Sequence, residues 1–335
     1  MVRGGPAWFE RGMIPSPRTS RPRLAVIDVV RAIALLAMAS FHSLWDLGSL
    51  RLTPENYTAT PIGRAAAEVI AGSFLLLVGI GLVLMNGRGI HRGPTLRRLA
   101  RVAGGALLVT IATRVVFPDA YVFFGVLHCI AVSSVLGLPF LFLPWPVTLL
   151  ASVAVMAAPS LVHADWLDAP ALWFLGLNRI TPHTNDYVPL FPWFGVVLLG
   201  IAVGKLGLPV LARSRLGTWE PRNGIGRAAA FAGRHSLAIY LIHQPALFGL
   251  AFLLAQAVGP NPKAGLKAFR ADYLAMCNRG GGEAASCRVA ARCTSEALVR
   301  EDLFRDDGRP YTIEERARAQ GLSRDCYDAA EGRLP

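Results

Sequence analysis

Apolar runs broken by short polar stretches fill the chain from residue 24 to residue 258, and seven of them approach the ~20 residues that cross a hydrocarbon core as a helix. They lie at 24–45, 62–85, 99–117, 121–143, 146–162, 187–208 and 236–258, of which the fifth, "PVTLLASVAVMAAPSLV", is the shortest. The pattern predicts an all-α polytopic membrane domain over 24–258. The first run is expected to stay in the protein, because no small-x-small cleavage site follows a clean apolar core. Beyond 259 the pattern becomes mixed and short, and a small soluble tail is expected over 259–335. Within it, "TSEALVREDLFRDD" and "TIEERARAQGL" have helical periodicity, and "YTIEE" offers Thr312 as an N-cap with Glu315 three residues on.

Composition agrees: 53% of the 335 residues are hydrophobic and 17% charged, with a mean hydropathy of +0.43, too apolar for a soluble enzyme of this length. The net charge of +12 would suit nucleic acid if it were spread over one surface, but it is segmental. Arginines crowd residues 1–23, which read as a flexible cytoplasmic arm. Arg88, Arg92, Arg97, Arg98 and Arg101 join the second and third runs; Lys205, Arg213, Arg215, Arg222, Arg227 and Arg234 join the sixth and seventh. The other connections are nearly neutral, so the arm and basic loops are expected in the cytoplasm and the tail on the opposite side.

The tail holds 13 Lys and Arg against 12 Asp and Glu, with Cys277, Cys287, Cys293 and Cys326; Cys129 stands alone in the fourth run. Four cysteines in a short segment predict two disulfides in an oxidising compartment. Zinc competes, but the C-x9-C-x5-C-x32-C spacing matches no compact zinc pattern, and no metal is expected.

Charged and imidazole groups inside apolar runs are costly and point to polar pathways or sites. In "RLAVIDVVRAIALLAMASFHSLWDL", Arg31 and His42 are eleven residues apart, which places them on one helix face, separated by about 16.5 Å along the axis. Asp28 can neutralise Arg31. Asp46, four residues after His42, can reach and orient its imidazole. Further candidates are His128 in the fourth run, Asp186 and Tyr187 at the start of the sixth, and His243 with Gln244 in the seventh; Arg64 and Glu68 read as an i, i+4 pair. Lone intramembrane histidines usually bond neighbouring helices. Three in different runs, with acids on the same side, favour a shared polar cavity. His91, His163, His183 and His235 read as solvated or interfacial, Trp145, Trp166, Trp173 and Trp193 as interface belts, and "VGIGLVL" as a helix-packing surface. No P-loop, dinucleotide fingerprint, HExxH or GxSxG is present.

"DVVRAIALLAMASFHSLWDL", "AGSFLLLVGIGLVL", "FPDAYVFFGVLHCIAVS", "DYVPLFPWFGVVLLGIAVG" and "GRHSLAIYLIHQP" occur in an order that resembles bacterial membrane proteins similar to the catalytic domain of heparan-alpha-glucosaminide N-acetyltransferase, over about residues 22–250. The arm and the tail lie outside it. The wider transmembrane acyltransferase group also carries an Arg, ten residues and a His in its first span, as Arg31 and His42 do. Ala32 stands where the family commonly has Gly, and the outer loops are shorter than those of the animal enzyme.

The resemblance implies a multi-pass protein of a bacterial inner membrane that takes acetyl or a short acyl group from cytoplasmic acyl-CoA and places it on an extracytoplasmic glycan or lipid. His42 and Asp46 would be catalytic; Arg31, His128, Asp186, Tyr187 and His243 would bind substrate. Membrane lipids, the coenzyme A thioester and the acceptor are the expected partners; nucleic acid is not, and a homo-oligomer stays open. A transporter of a small polar metabolite, using the same intramembrane groups, is the alternative.

Overall fold

The computed structural model describes residues 24–87, 89–162, 164–305 and 310–332; the arm at 1–23, Arg88 and His163 lie outside the described residues. Helices α1 (Ala25–Ser49), α2 (Pro61–Asn86), α3 (Arg92–Val116), α4 (Val126–Leu136), α5 (Trp145–Leu161), α6 (Leu190–Arg213), α7 (Gly224–Arg234) and α8 (Ser236–Val258) precede α9 (Leu266–Arg279), α10 (Ala284–Arg300) and α11 (Ile313–Ala330). Helices α1, α2, α3, α6 and α8 are long and apolar enough to cross a membrane, and α4 and α5 are shorter apolar helices. The protein is a polytopic helical membrane protein. Large side chains such as Leu36, Leu150 and Val210 stay exposed on α1, α5 and α6, as they do on helices apolar all round.

Local chemistry sets several boundaries. Thr60 caps α2 by accepting from Gly63 N at 3.1 Å, and Pro61, which has no N–H to satisfy, starts the helix. Helix α8 spans the apolar run at 236–258. Helix α3 begins at Arg92, so Arg97, Arg98 and Arg101 sit on a helix rather than in a loop; their long stems can lie along apolar surface while the charges reach water. Helix α7 was not expected. It starts behind Asn223, whose side chain accepts from Gly226 N at 2.8 Å.

The fourth run departs most from the sequence reading. Residues 121–125 are not helical, α4 is 11 residues long, and a 3₁₀ turn at Pro139–Leu141 follows. Apolarity alone did not reveal this, because a buried extended segment and a buried helix share the same composition. Nor do Arg64 and Glu68 form the expected ion pair: the Arg64 guanidinium donates to Ala59 O at 3.0 Å instead.

The bundle is built around α2 and α6. A Cβ on Gly79 would fall 2.2 Å from Val197 O, and one on Gly200 would fall 2.2 Å from Leu76 O, so two glycines let the backbones touch. The expected packing role of "VGIGLVL" is thus seen at Gly79. Leu75, Leu82, Val197, Leu198 and Ile201 form the centre of the core around this crossing, with Leu127 and Cys129 of α4 against them. At one end of the bundle, Gly233 of α7 packs so closely on α1 that a Cβ there would overlap Asp28 O. Lys205, from the same end of α6, donates to Phe140 O at 2.6 Å. This end carries the basic connections and is called the basic face below.

At the opposite end, Asn261 N donates to Arg51 O at 2.8 Å and Gly265 N to Pro54 O at 3.2 Å, clipping the tail to the α1–α2 connection. Lys267 reaches Glu55 at 2.8 Å, and that carboxylate holds the ammonium above its ordinary range. Helices α9–α11 have their own core of Ala297, Leu298, Leu322 and Cys326 with Phe269 and Phe304. Cys277 bonds to Cys287 and Cys293 to Cys326, so the cysteines are paired rather than arranged around zinc. The Thr312–Glu315 capping box forms as expected, with Thr312 N donating to Glu315 at 2.9 Å and Glu315 N to Thr312 Oγ1 at 3.2 Å.

Candidate active site

His42 and Asp46 lie one turn apart on α1, facing α8, which brings His243 and Gln244 to the same level. The imidazole of His42 meets that of His243, with ring centroids 5.1 Å apart and planes at 64°. His243 Nδ1 lies 2.7 Å from Tyr240 O. A carbonyl can only accept, so Nδ1 carries the proton and the neutral ring presents a lone pair at Nε2. Nε2 is buried without a hydrogen-bond partner.

Asp46 is fully buried, and Gln244 Nε2 donates to its Oδ1 at 2.9 Å. The expected Asp46–His42 hydrogen bond is absent. The i, i+4 spacing permits it, but Gln244 supplies a planar donor from the facing helix and takes the carboxylate. His42 makes no hydrogen bond within the described residues, which leaves its nitrogens open to a substrate. Pro245 follows Gln244 inside α8 and cannot donate to the turn before it, so backbone and side-chain polarity are concentrated at this point. Trp45, next to Asp46 on α1, Phe117 at the end of α3 and Phe248, one turn after Gln244 on α8, form an edge-to-face chain with centroids 6.5 and 5.9 Å apart. Neither this chain nor the Asp46–Gln244 pair follows from sequence spacing; "IHQP" was the only signal of the latter.

Helix α1 runs unbroken from this cluster to Arg31, about 16.5 Å toward the basic face. Arg31 pairs with Asp28 at 3.0 Å, as its spacing predicts. Gly81 of α2 packs beside its guanidinium, and Arg98 of α3 lies within electrostatic reach of Arg31 and Arg101. Arg31 of α1 and Arg98 of α3 thus lie near one another.

His128, Asp186 and Tyr187 belong to a different construction. Residues 120–125 fold back along the end of α3, where Thr110 Oγ1 donates to Val122 O at 2.8 Å and Thr113 Oγ1 accepts from Val122 N at 3.0 Å. They run beside 185–188, with Asn185 N donating to Ala120 O at 2.9 Å and Val188 N to Phe124 O at 3.2 Å. Non-helical backbone is tolerated there because its polar groups are satisfied within protein. Asp186 Oδ2 accepts from Val126 N at 2.9 Å at the start of α4, and Gly125 leaves the room, since a Cβ there would overlap that oxygen. His128 Nδ1 accepts from Gly125 N at 3.2 Å and its Nε2 donates to Thr110 Oγ1 at 3.1 Å, so both ring nitrogens are engaged. The Tyr187 hydroxyl bonds the preceding loop at Trp173 O, 2.7 Å away, and Asn178 Oδ1, 2.8 Å away.

Residues 23–245 match the family described as heparan-alpha-glucosaminide N-acetyltransferase, catalytic. The chain belongs to this family. It therefore stands among transmembrane acetyltransferases. The match starts just before α1 and ends at Pro245, so the family's catalytic region contains the whole His42–Asp46–His243–Gln244 cluster and the Arg31 region but not the tail. No curated protein and no solved structure matches the chain.

Proposed function

We propose that this family member transfers an acetyl or short acyl group from cytoplasmic acetyl-CoA, or another acyl-CoA, to a glycan or lipid acceptor on the other side of the membrane. The observation that carries the proposal is the placement of Arg31 and His42 on one continuous helix, with the histidine pair at α8 and the arginines toward the basic face. Phosphates suit the planar, permanently charged guanidinium, so Arg31, Arg98 and Arg101 would hold the coenzyme A end. The span of about 16.5 Å suits an extended pantetheine arm, which brings the thioester to His42.

In this reading the acceptor's hydroxyl or amine attacks the thioester carbonyl carbon as His42 removes its proton. The carbon–sulfur bond then breaks, and the thiolate leaves toward the basic face and takes up a proton. Asp46, held by Gln244, and His243, fixed by Tyr240, position the acceptor. His128, Asp186 and Tyr187 would act indirectly, by holding the folded-back segment next to α4 that shapes the substrate space. The basic face would be cytoplasmic, and the disulfide-bearing tail extracytoplasmic in a bacterial inner membrane.

Radiolabelled acetyl transfer by the purified protein in nanodiscs tests the reading. Consumption of acetyl-CoA and appearance of label in an acceptor supports it. Movement of a solute without thioester consumption would favour a transporter instead.

A further inference from the structure

The fully buried side-chain atoms left without a partner at the α1–α8 contact are all acceptors. Asp46 is fully buried, its Oδ1 accepts from Gln244, and its Oδ2 has no donor. Gln244 must turn its NH₂ toward the carboxylate, which leaves its carbonyl Oε1 facing away, buried and also without a donor. His243 spends its only proton on Tyr240 O, and its Nε2 lone pair is likewise buried and unmatched. Three acceptors from adjoining residues therefore lack donors. His128 shows that this is a local property: around it every donor meets an acceptor.

Buried acceptors are rarely left unfilled, and a set of them specifies a ligand that brings hydrogen-bond donors. With Asp46 as a carboxylate, the local charge is negative, and the guanidinium of Arg31 is more than four turns away along α1. An anionic ligand would therefore meet both repulsion and a lack of donors. The aromatic chain of Trp45, Phe117 and Phe248 adds apolar surface near the same level of α1 and α8.

We infer that Asp46, Gln244 and His243 form the subsite for the acceptor's reacting end, and that this subsite takes an uncharged or cationic group bearing several hydroxyl or amine donors while rejecting an anionic one. Its role in acyl transfer rests on the function proposed above; its ligand preference does not. Gln244 is the specificity-determining residue in this scheme, since it both fixes the carboxylate and offers the third acceptor.

The test uses the full chain in nanodiscs with radiolabelled acetyl-CoA and four probes: glucose and ethanolamine, and their phosphorylated counterparts glucose 6-phosphate and phosphoethanolamine. Transfer, thioester consumption and probe-induced thermal stabilisation are each measured, with the melting temperature of every variant. The wild type should prefer the unphosphorylated probes by about tenfold or more in kcat/KM, because each phosphate replaces one hydroxyl donor by negative charge facing a buried carboxylate and two further unpaired acceptors. Asp46→Asn should erase most of the charge discrimination. Gln244→Met should raise the KM for glucose with little change in coenzyme A affinity, a split that a merely structural role would not produce. If no probe consumes the thioester, but glucose or ethanolamine stabilises the wild type and not the two variants, the subsite stands and the transfer reading falls. Equal use of phosphorylated and unphosphorylated probes, or discrimination unchanged in both variants, would overturn the subsite, as would the absence of both transfer preference and stabilisation.

Discussion

The carboxamide of Gln244 donates to the carboxylate of Asp46 at 2.9 Å across a separation of 198 residues. It joins the first helix of the membrane bundle to the last, at the level where His42 and His243 meet. One hydrogen bond thus fixes a buried charge and the geometry of the proposed reaction centre together.

If His42 is the general base, His42→Ala lowers turnover by about 10²–10⁴-fold while insertion and coenzyme A binding persist. Asp46→Asn falls between that variant and the wild type, because an amide can still meet Gln244 but loses the charge. Acetyl transfer per folded molecule is the measurement. Near wild-type turnover in His42→Ala would transfer the role of base to His243, whose Nε2 lone pair is already presented.

Arg31→Ala is expected to weaken coenzyme A binding, and Arg31→Lys to recover only part of it, since Lys keeps the charge without the planar fork. Stabilisation of the protein by coenzyme A in a thermal melt reads this directly. An unchanged response in both variants would leave Arg31 as the partner of Asp28 alone.

Gly79→Leu should destabilise the bundle by about 1–3 kcal/mol, because the added side chain meets the α6 backbone where no flexible group can yield. Gly93→Ala serves as the control, with open space at its Cβ. Melting temperatures in detergent compare the two.

The tail disulfides enclose loops of different length, with sequence separations of 10 and 33. On loop entropy alone, the double variant Cys293→Ser, Cys326→Ser should lose about 1 kcal/mol more than Cys277→Ser, Cys287→Ser, measured as protease resistance of the tail. Thiol labelling of intact cells before and after reduction tests the side on which the tail lies. Tail cysteines that react from the cytoplasm without reduction would overturn the proposed orientation.

Acid should loosen the same tail. The Thr312 N–H holds the Glu315 carboxyl below its ordinary range, and hydrogen bonds from Arg318 do the same for Glu301. A depressed carboxyl contributes stability above its unfolded pKa, near ~4.3, and loses it as pH falls through the folded value. Protease resistance of the tail should therefore be flat near neutrality and fall on strong acidification. In Thr312→Ala the resistance should be lower throughout, by about 1 kcal/mol in the unfolding free energy it reports.

Local and one-dimensional features were legible in the chain itself. Helical membrane spans follow from apolar run length, because backbone groups in hydrocarbon must bond within their own segment. The Asp28–Arg31 pair and the Thr312–Glu315 box follow from spacing within a turn, and the even number of tail cysteines announced two bridges. The co-location of Arg31 and His42 on one face needed only the helical period. What the sequence left undecided depended on contacts between distant segments. Asp46 could reach His42 or a residue on another helix, and only the α1–α8 packing, which delivers Gln244, decides between them. The folding back of 120–125 likewise rests on Thr110, Thr113 and the strand-like partner at 185–188, because an apolar stretch takes whichever conformation its neighbours' hydrogen bonds complete.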